Sequence, residues 1–233
     1  MEIKNARIVS VTQKSSMSNT TLVKSYDELP IDIDISVFMG NNESLSTVFN
    51  LAITQALKDE LDCLILVHDD VMLEEDPIPK LEKLFDDYDL VGVAGTSKIE
   101  LKSPALWHLM GGGFEGGHLH GCVQHLVQKY GVNADDRYLS KSVPTNFGKY
   151  PHKVVMIDGV FMALNRKAME TMRFDEDCPS KFHFYDLIAS LDFHLAGGRV
   201  GVGDILITHE SPGLREFTDE WKAGEEYFLN RYK

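Results

Sequence analysis

The chain is 233 residues long, 43% hydrophobic and 25% charged, enough for one soluble core, and no apolar run approaches the roughly 18 residues of a bilayer span. Its formal charge of −13 excludes a nucleic-acid backbone as the main partner, because proteins that grip one carry a basic face. Phosphorylated small molecules are not excluded, since a divalent cation bridges an acidic protein to a diphosphate.

Strands and helices then alternate along the chain. Residues 7–13 read as a strand and 22–29 as a helix, and in 31–39 the apolar residues Ile31, Ile33, Ile35 and Val37 alternate as in a second strand. Leu45, Val48, Phe49, Ala52, Ile53 and Ala56 recur at helical spacing and form a face that would cover a sheet. Cys63–Val67 is a short unbroken apolar run, the pattern of a buried parallel strand. A helix over 79–85 and another buried strand over 90–94 follow. This alternation without hairpin signals predicts a mostly parallel, doubly wound α/β sheet with helices on both faces.

From about residue 97 to 152 the periodicity fades. The segment holds Gly111-Gly112-Gly113, Gly116-Gly117 and Gly121, and long loops of this kind serve as lids or binding segments. Strand character resumes over 154–157 and 160–164. Leu187, Ile188, Leu191 and Leu195 mark a helix stopped at Gly197-Gly198, residues 200–207 form a last strand-like run up to His209, and 217–232 closes the chain as a helix. We expect one domain over 1–233. The start Met1-Glu2-Ile3-Lys4-Asn5 does not read as a signal peptide, and Cys63, Cys122 and Cys178 form neither a zinc pair nor a disulfide framework, so a reducing cytoplasm is expected.

Three Asp-Asp pairs occur, and only Asp69-Asp70 directly follows a buried strand. Ligands of open α/β sheets bind outside the carboxyl ends of strands, so position selects that pair. Carboxylates there are costly unless hydrated, paired or metal-bound. His118, His120 and His125 invite a zinc reading, but flexible glycine-rich segments preorganise ligands poorly. Trp107 would either stack on a sugar ring or anchor its segment in the core.

The segment Asn50-Leu51-Ala52-Ile53-Thr54-Gln55-Ala56, the strand Cys63–Val67 and the triplet His68-Asp69-Asp70 together resemble the core of the family 2, GT-A type glycosyltransferases. Ala52 stands where that pattern usually has glycine and His68 where it has its first aspartate. The histidine version is similar to the branch typified by the StrF-like domain of streptomycin biosynthesis. Downstream, Asp158-Gly159-Val160-Phe161-Met162-Ala163 resembles the acceptor-side strand, Phe182-His183-Phe184-Tyr185-Asp186 the segment that delivers the base, and Ile207-Thr208-His209 the late histidine.

The resemblance implies a GT-A-like fold, with a nucleotide-binding half over about 1–96 and an acceptor half over about 97–233, and a sugar transfer, with inversion, from a nucleoside diphosphate sugar to a glycan or other hydroxyl acceptor. It implies Mn²⁺ or Mg²⁺ held by Asp70, His209 and His68, with Asp186 as the base. Asp158, Gly159 and Trp107 are the expected acceptor contacts, and Thr12, Asn41, Asn50 and Asp69 the nucleotide contacts. Asp186 alternatively caps its helix, whose dipole would favour the anion. A nucleotidyltransferase acting on a sugar phosphate is the rival enzyme, but the loop after the first strand, residues 14–20, has one lysine and no glycine. A non-catalytic sugar-binding domain is the rival of another class.

Overall fold

The computed structural model describes residues 1–99, 103–108, 117–126, 142–210 and 216–233. Strand β1 (Ala6–Val11) leads into α1 (Thr21–Glu28), whose first turn is capped by the Thr20 hydroxyl accepting from the Val23 N–H. Strand β2 (Asp34–Phe38), helix α2 (Leu45–Lys58) and strand β3 (Cys63–Val67) follow, with β2 and β3 parallel to β1 on its two sides. Next come β4 (Val71–Leu73), α3 (Ile78–Asp87), β5 (Leu90–Gly92) and β6 (Ala94–Thr96). Then follow β7 (Leu119–Leu126), β8 (Ser142–Gly148), β9 (His152–Lys153), β10 (Met156–Ile157), β11 (Phe161–Asn165) and α4 (Arg166–Thr171). Helix α5 (Tyr185–Leu195), strands β12 (Val200–Val202) and β13 (Ile207–His209) and helix α6 (Asp219–Arg231) end the chain.

The larger sheet has the order β2-β1-β3-β11-β5-β12-β9, and five of its seven strands point one way; only β11 and β9 run against them. Its interior strand β3 is buried at every residue. Cys63, Ile65 and Val67 enter one core with Leu22 of α1 and Leu81 of α3, while Leu64 and Leu66 enter a second with Phe49 of α2 and Met169 of α4. That alternation between two helix-covered faces is why the run is apolar throughout. The mainly parallel α/β sheet flanked by helices is therefore the one expected.

A second sheet, β10-β6-β7-β13-β4 with β8 beside β7, lies outside the expectation. The run at 90–94 divides at Val93 into β5 and β6, and the run from Val200 divides into β12 and β13, each pair feeding both sheets. Strands β7 and β8 fall in the segment read as a loop. Backbone pairing of β7 with β6, β8 and β13 holds them, so no alternating apolar face was needed. Helix α4, six residues long and capped by Asn165, is too short to show a period. The expected halves interleave, because β11 sits between β3 and β5. Among the described residues no helix is long and apolar enough to cross a membrane.

Candidate active site at the end of strand β3

His68, Asp69 and Asp70 form the tight link between β3 and β4. The His68 N–H donates to the Val160 carbonyl at 3.3 Å, and the Val71 N–H closes the turn on the His68 carbonyl at 3.4 Å. Strand β13 then pairs antiparallel with β4, setting His209 opposite Val71, and the Glu210 N–H donates to the Asp70 carbonyl at 2.9 Å. This pairing carries His209 to Asp70, with Nε2 3.2 Å from Asp70 Oδ1 and His68 Nδ1 4.0 Å from the same oxygen. The three side chains offer ligand atoms all within 4.8 Å of one another. Asp70 Oδ1 is buried and makes no well-formed hydrogen bond, so its approach to His209 is an ion pair by distance only.

Charge at this cluster follows from its burial and its neighbours. Burial lowers the His68 imidazole and keeps it neutral. Burial opposes a charged His209 as well, but Asp70 outweighs it and raises that histidine above its ordinary value. Burial alone would raise Asp70, yet His209 and His68 hold it below the usual carboxylate range. Two imidazoles and a carboxylate oxygen lacking a hydrogen bond are a donor set that fits a divalent cation.

A second group of acids is held by the turn before β11 and the start of α5. The Gly159 N–H donates to Asp186 Oδ2 at 2.6 Å, and the Val160 N–H to Asp158 Oδ1 at 3.0 Å. Phe184, left-handed at φ 67°, occupies the N-cap of α5 without a side-chain cap. Asp186 therefore lies in the first turn and is not the cap. The expected preference for its anion is also overturned, since burial and the Asp158 charge push Asp186 up to about 7 against its backbone N–H partners. Gly159 is demanded by contact, because a Cβ there would stand 2.0 Å from the Tyr185 hydroxyl. That hydroxyl lies 2.8 Å from His68 Nε2, joining the Asp158–Asp186 group to the His68–Asp70–His209 cluster.

A cleft of about 600 Å³ opens beside the cluster, with Thr12, Lys14, Asn41, Asp69 and Phe182 in its walls. The Thr12 hydroxyl donates to Asp69 Oδ2 at 2.6 Å and accepts from the Lys14 N–H at 3.1 Å, while the Lys14 ammonium lies 3.4 Å from the same Asp69 oxygen. Asn41 folds a turn onto Glu43 and still faces the cleft.

Two expected contacts sit elsewhere. Asn50 spends its amide on Phe174 and Glu176, giving to both and accepting from the Phe174 N–H, so it clamps α2 to the 174–176 segment. Trp107 is 4% exposed, edge-on to His108 and beside Phe147, which makes it a core anchor with no ring face for a sugar. The three histidines of the zinc reading separate as well: His120 stacks on His152 at 3.8 Å, whereas His125 lies in register with His209. Residues 111–116 of the expected lid, Asp135-Asp136 and the Ser211-Pro212-Gly213 run lie outside the described residues, and Gly121 belongs to β7.

Sequence reading did not single out Tyr185, Lys14 or Phe182. Tyr185 and Phe182 had one signal, their place in the segment read as delivering Asp186; Lys14 was met only as the single lysine of its loop, and the fold brings it to the cleft.

The profile described as "Glycosyltransferase like family" matches residues 7–232. The streptomycin biosynthesis protein StrF of Streptomyces griseus is 26% identical over 192 residues, which cover 80% of this chain and 60% of that protein, so the chain spans less than two thirds of its length. Among solved structures, A197 from STIV superposes with a TM-score of 0.51 at 12% identity, over 92% of this chain and 98% of that one. GalNAc-T7, solved with UDP, GalNAc and Mn²⁺, superposes with a TM-score of 0.53 at 14% identity, over 90% of this chain and 44% of that one. At such identities these structures establish the fold, which is GT-A.

Proposed function

The chain belongs to the glycosyltransferase-like family; from that premise we propose that it is a glycosyltransferase that moves a sugar from a nucleoside diphosphate donor to an acceptor hydroxyl, with inversion, using Mn²⁺ or Mg²⁺. The observation that carries this reading is the buried Asp70 oxygen, without a hydrogen bond, facing His68 and His209 at the rim of the cleft. Those three residues would hold the cation. When bound, it would act as a Lewis acid on the departing diphosphate. A solved neighbour of the same fold carries UDP, GalNAc and Mn²⁺, which supports a nucleotide and a divalent cation as the bound groups.

The chain's own residues would do the rest. Thr12 fixes Asp69, Asn41 faces the nucleotide, and Lys14 brings a positive charge to the diphosphate end of the cleft. The acceptor hydroxyl must lose its proton as it attacks the anomeric carbon, and Asp186, pushed up to about 7, is matched to that task at neutral pH. Asp158 keeps it there by charge repulsion, and Gly159 leaves room for an acceptor beside it. A base on the face opposite the leaving group gives inversion. We read the chain as one domain with interleaved donor and acceptor halves, and its unpaired cysteines suit the cytoplasm.

A thermal-shift series of nucleoside diphosphates with and without Mn²⁺, on the wild type and on Asp70→Ala, tests the reading. Ligand binding to the native state raises the apparent Tm. We expect a Mn²⁺-dependent shift for at least one nucleotide in the wild type and none in the variant. Equal shifts in both proteins would remove Asp70 from the site.

A further inference from the structure

Tyr185 is absent from every role described so far, yet its hydroxyl occupies the point where the two sides of the site meet. The residue is 2% exposed, and its ring packs against both Phe49 and Phe174, at centroid distances of 5.6 and 6.0 Å. Held so, the hydroxyl has little freedom, and it sits 2.8 Å from His68 Nε2. The chain keeps a glycine at position 159, where any side chain would collide with this hydroxyl. The other ring nitrogen of His68, Nδ1, faces Asp70 Oδ1 at 4.0 Å, across the space where the ligand atoms of Asp70 and His209 converge.

A histidine binds a cation through a bare nitrogen lone pair, and its other nitrogen must then carry the proton and find an acceptor. We propose that Tyr185 is the positioning residue that supplies this acceptor: its phenol oxygen takes the Nε2–H of His68, fixing the ring so that Nδ1 presents its lone pair beside Asp70 and His209. The inference rests on the divalent-cation reading of that cluster. It adds a residue that touches neither the cation nor the substrate, and it makes a single residue pair, Tyr185-Asp186, responsible for both the base and the orientation of a ligand.

The test uses Tyr185→Phe, which keeps the ring and its aromatic packing and removes only the hydroxyl oxygen. Titration calorimetry with Mn²⁺ alone should show affinity lowered by about 10-fold or more, the usual weight of such an orienting partner. In metal-free protein, ¹⁵N NMR should show His68 protonated at Nε2 in the wild type and as a tautomer mixture in the variant. A purely structural role would lower the metal-free Tm and leave the His68 tautomer alone. Three results overturn the proposal: wild-type Mn²⁺ affinity in Tyr185→Phe, a proton on His68 Nδ1 in the wild type, or a lowered metal-free Tm with an unchanged tautomer. If Asp70→Ala abolishes Mn²⁺ binding while Tyr185→Phe binds normally, only this inference fails. A wild-type protein that binds no Mn²⁺ sinks the cation site and this inference together.

Discussion

The molecule carries buried or half-buried acid at both ends of its main sheet, and the two ends treat it in opposite ways. At the amino ends of β5 and β12, Asp89 is 1% exposed and accepts from Arg199, Lys167 and Asn165 at 2.7 to 3.3 Å. Burial would raise it, but Arg199 and Lys167 hold it far below the ordinary carboxylate range. At the carboxyl end of β3, among the described residues, no lysine or arginine forms an ion pair with Asp70, Asp158 or Asp186. Asp186 is instead pushed up to about 7 by burial and Asp158. A carboxylate whose charge is neutralised within the fold is a clamp. One left near neutrality beside a cleft retains chemistry, and strain of this kind at a strand end is the mark of a site.

The sharpest way to break this contrast is to remove the proton acceptor without changing shape. Asp186→Asn should cut kcat by about 10²- to 10⁴-fold with donor binding nearly unchanged, measured by steady-state kinetics with the natural acceptor. Normal turnover would pass the base role to Asp158 or to another acceptor-side carboxylate. Next in size is the clamp. Asp89→Asn should cost about 2 kcal/mol of stability in chemical denaturation, less than a fully buried pair would, because Arg199 and Lys167 are 44% and 57% exposed and regain water. Its kcat per folded molecule should stay at the wild-type level, and a large loss of turnover would mean the two ends are coupled.

Per pH unit the effects of pH are the smallest, and their signs differ. Asp89 has a depressed pKa, so its contribution is present above the unfolded value near 3.9 and is lost as pH falls below it. Asp186 has a raised pKa, so its contribution is complete below about 4 and is lost as pH rises through about 7. Between pH 5 and 7 the metal-free wild type should therefore lose stability relative to Asp186→Asn, by at most about 1.4 kcal/mol per pH unit. Activity should run the other way, with kcat/KM rising through about 7 as Asp186 ionises. Asp158→Asn should move that limb to lower pH by removing the like charge. A limb that stays in place would show that burial alone sets it.

In the helix-covered core of the main sheet, the pattern of the longest elements declared the outcome. The alternating apolar positions of α2 and the unbroken run of β3 were read at their positions, and so was the stop of α5 at Gly197, left-handed at φ +90°. These features depend on local spacing and on whether one or both faces are covered, and both leave a period in the residues. The strand-end position of Asp69-Asp70 followed from the same logic, and the family motifs placed Asp158, Asp186 and His209 in order along the chain.

What joins those residues was decided only in three dimensions. His209 reaches Asp70 because β13 pairs with β4, a three-residue strand with no pattern of its own. Asn50, in a motif that promised a nucleotide contact, was captured by Phe174 and Glu176, and Trp107 was captured by the core. The elevation of Asp186 reverses what its helix position alone implies, because desolvation and the charge of Asp158 act through space and outweigh a local dipole. Sequence alone therefore determined the α/β class, the buried strand and the acids at its carboxyl end, since hydrophobic periodicity is a local record of burial. Which side chains meet, and with what charge, was left to the tertiary structure, because backbone pairing between distant strands and the dielectric around a carboxylate leave no mark on residue spacing.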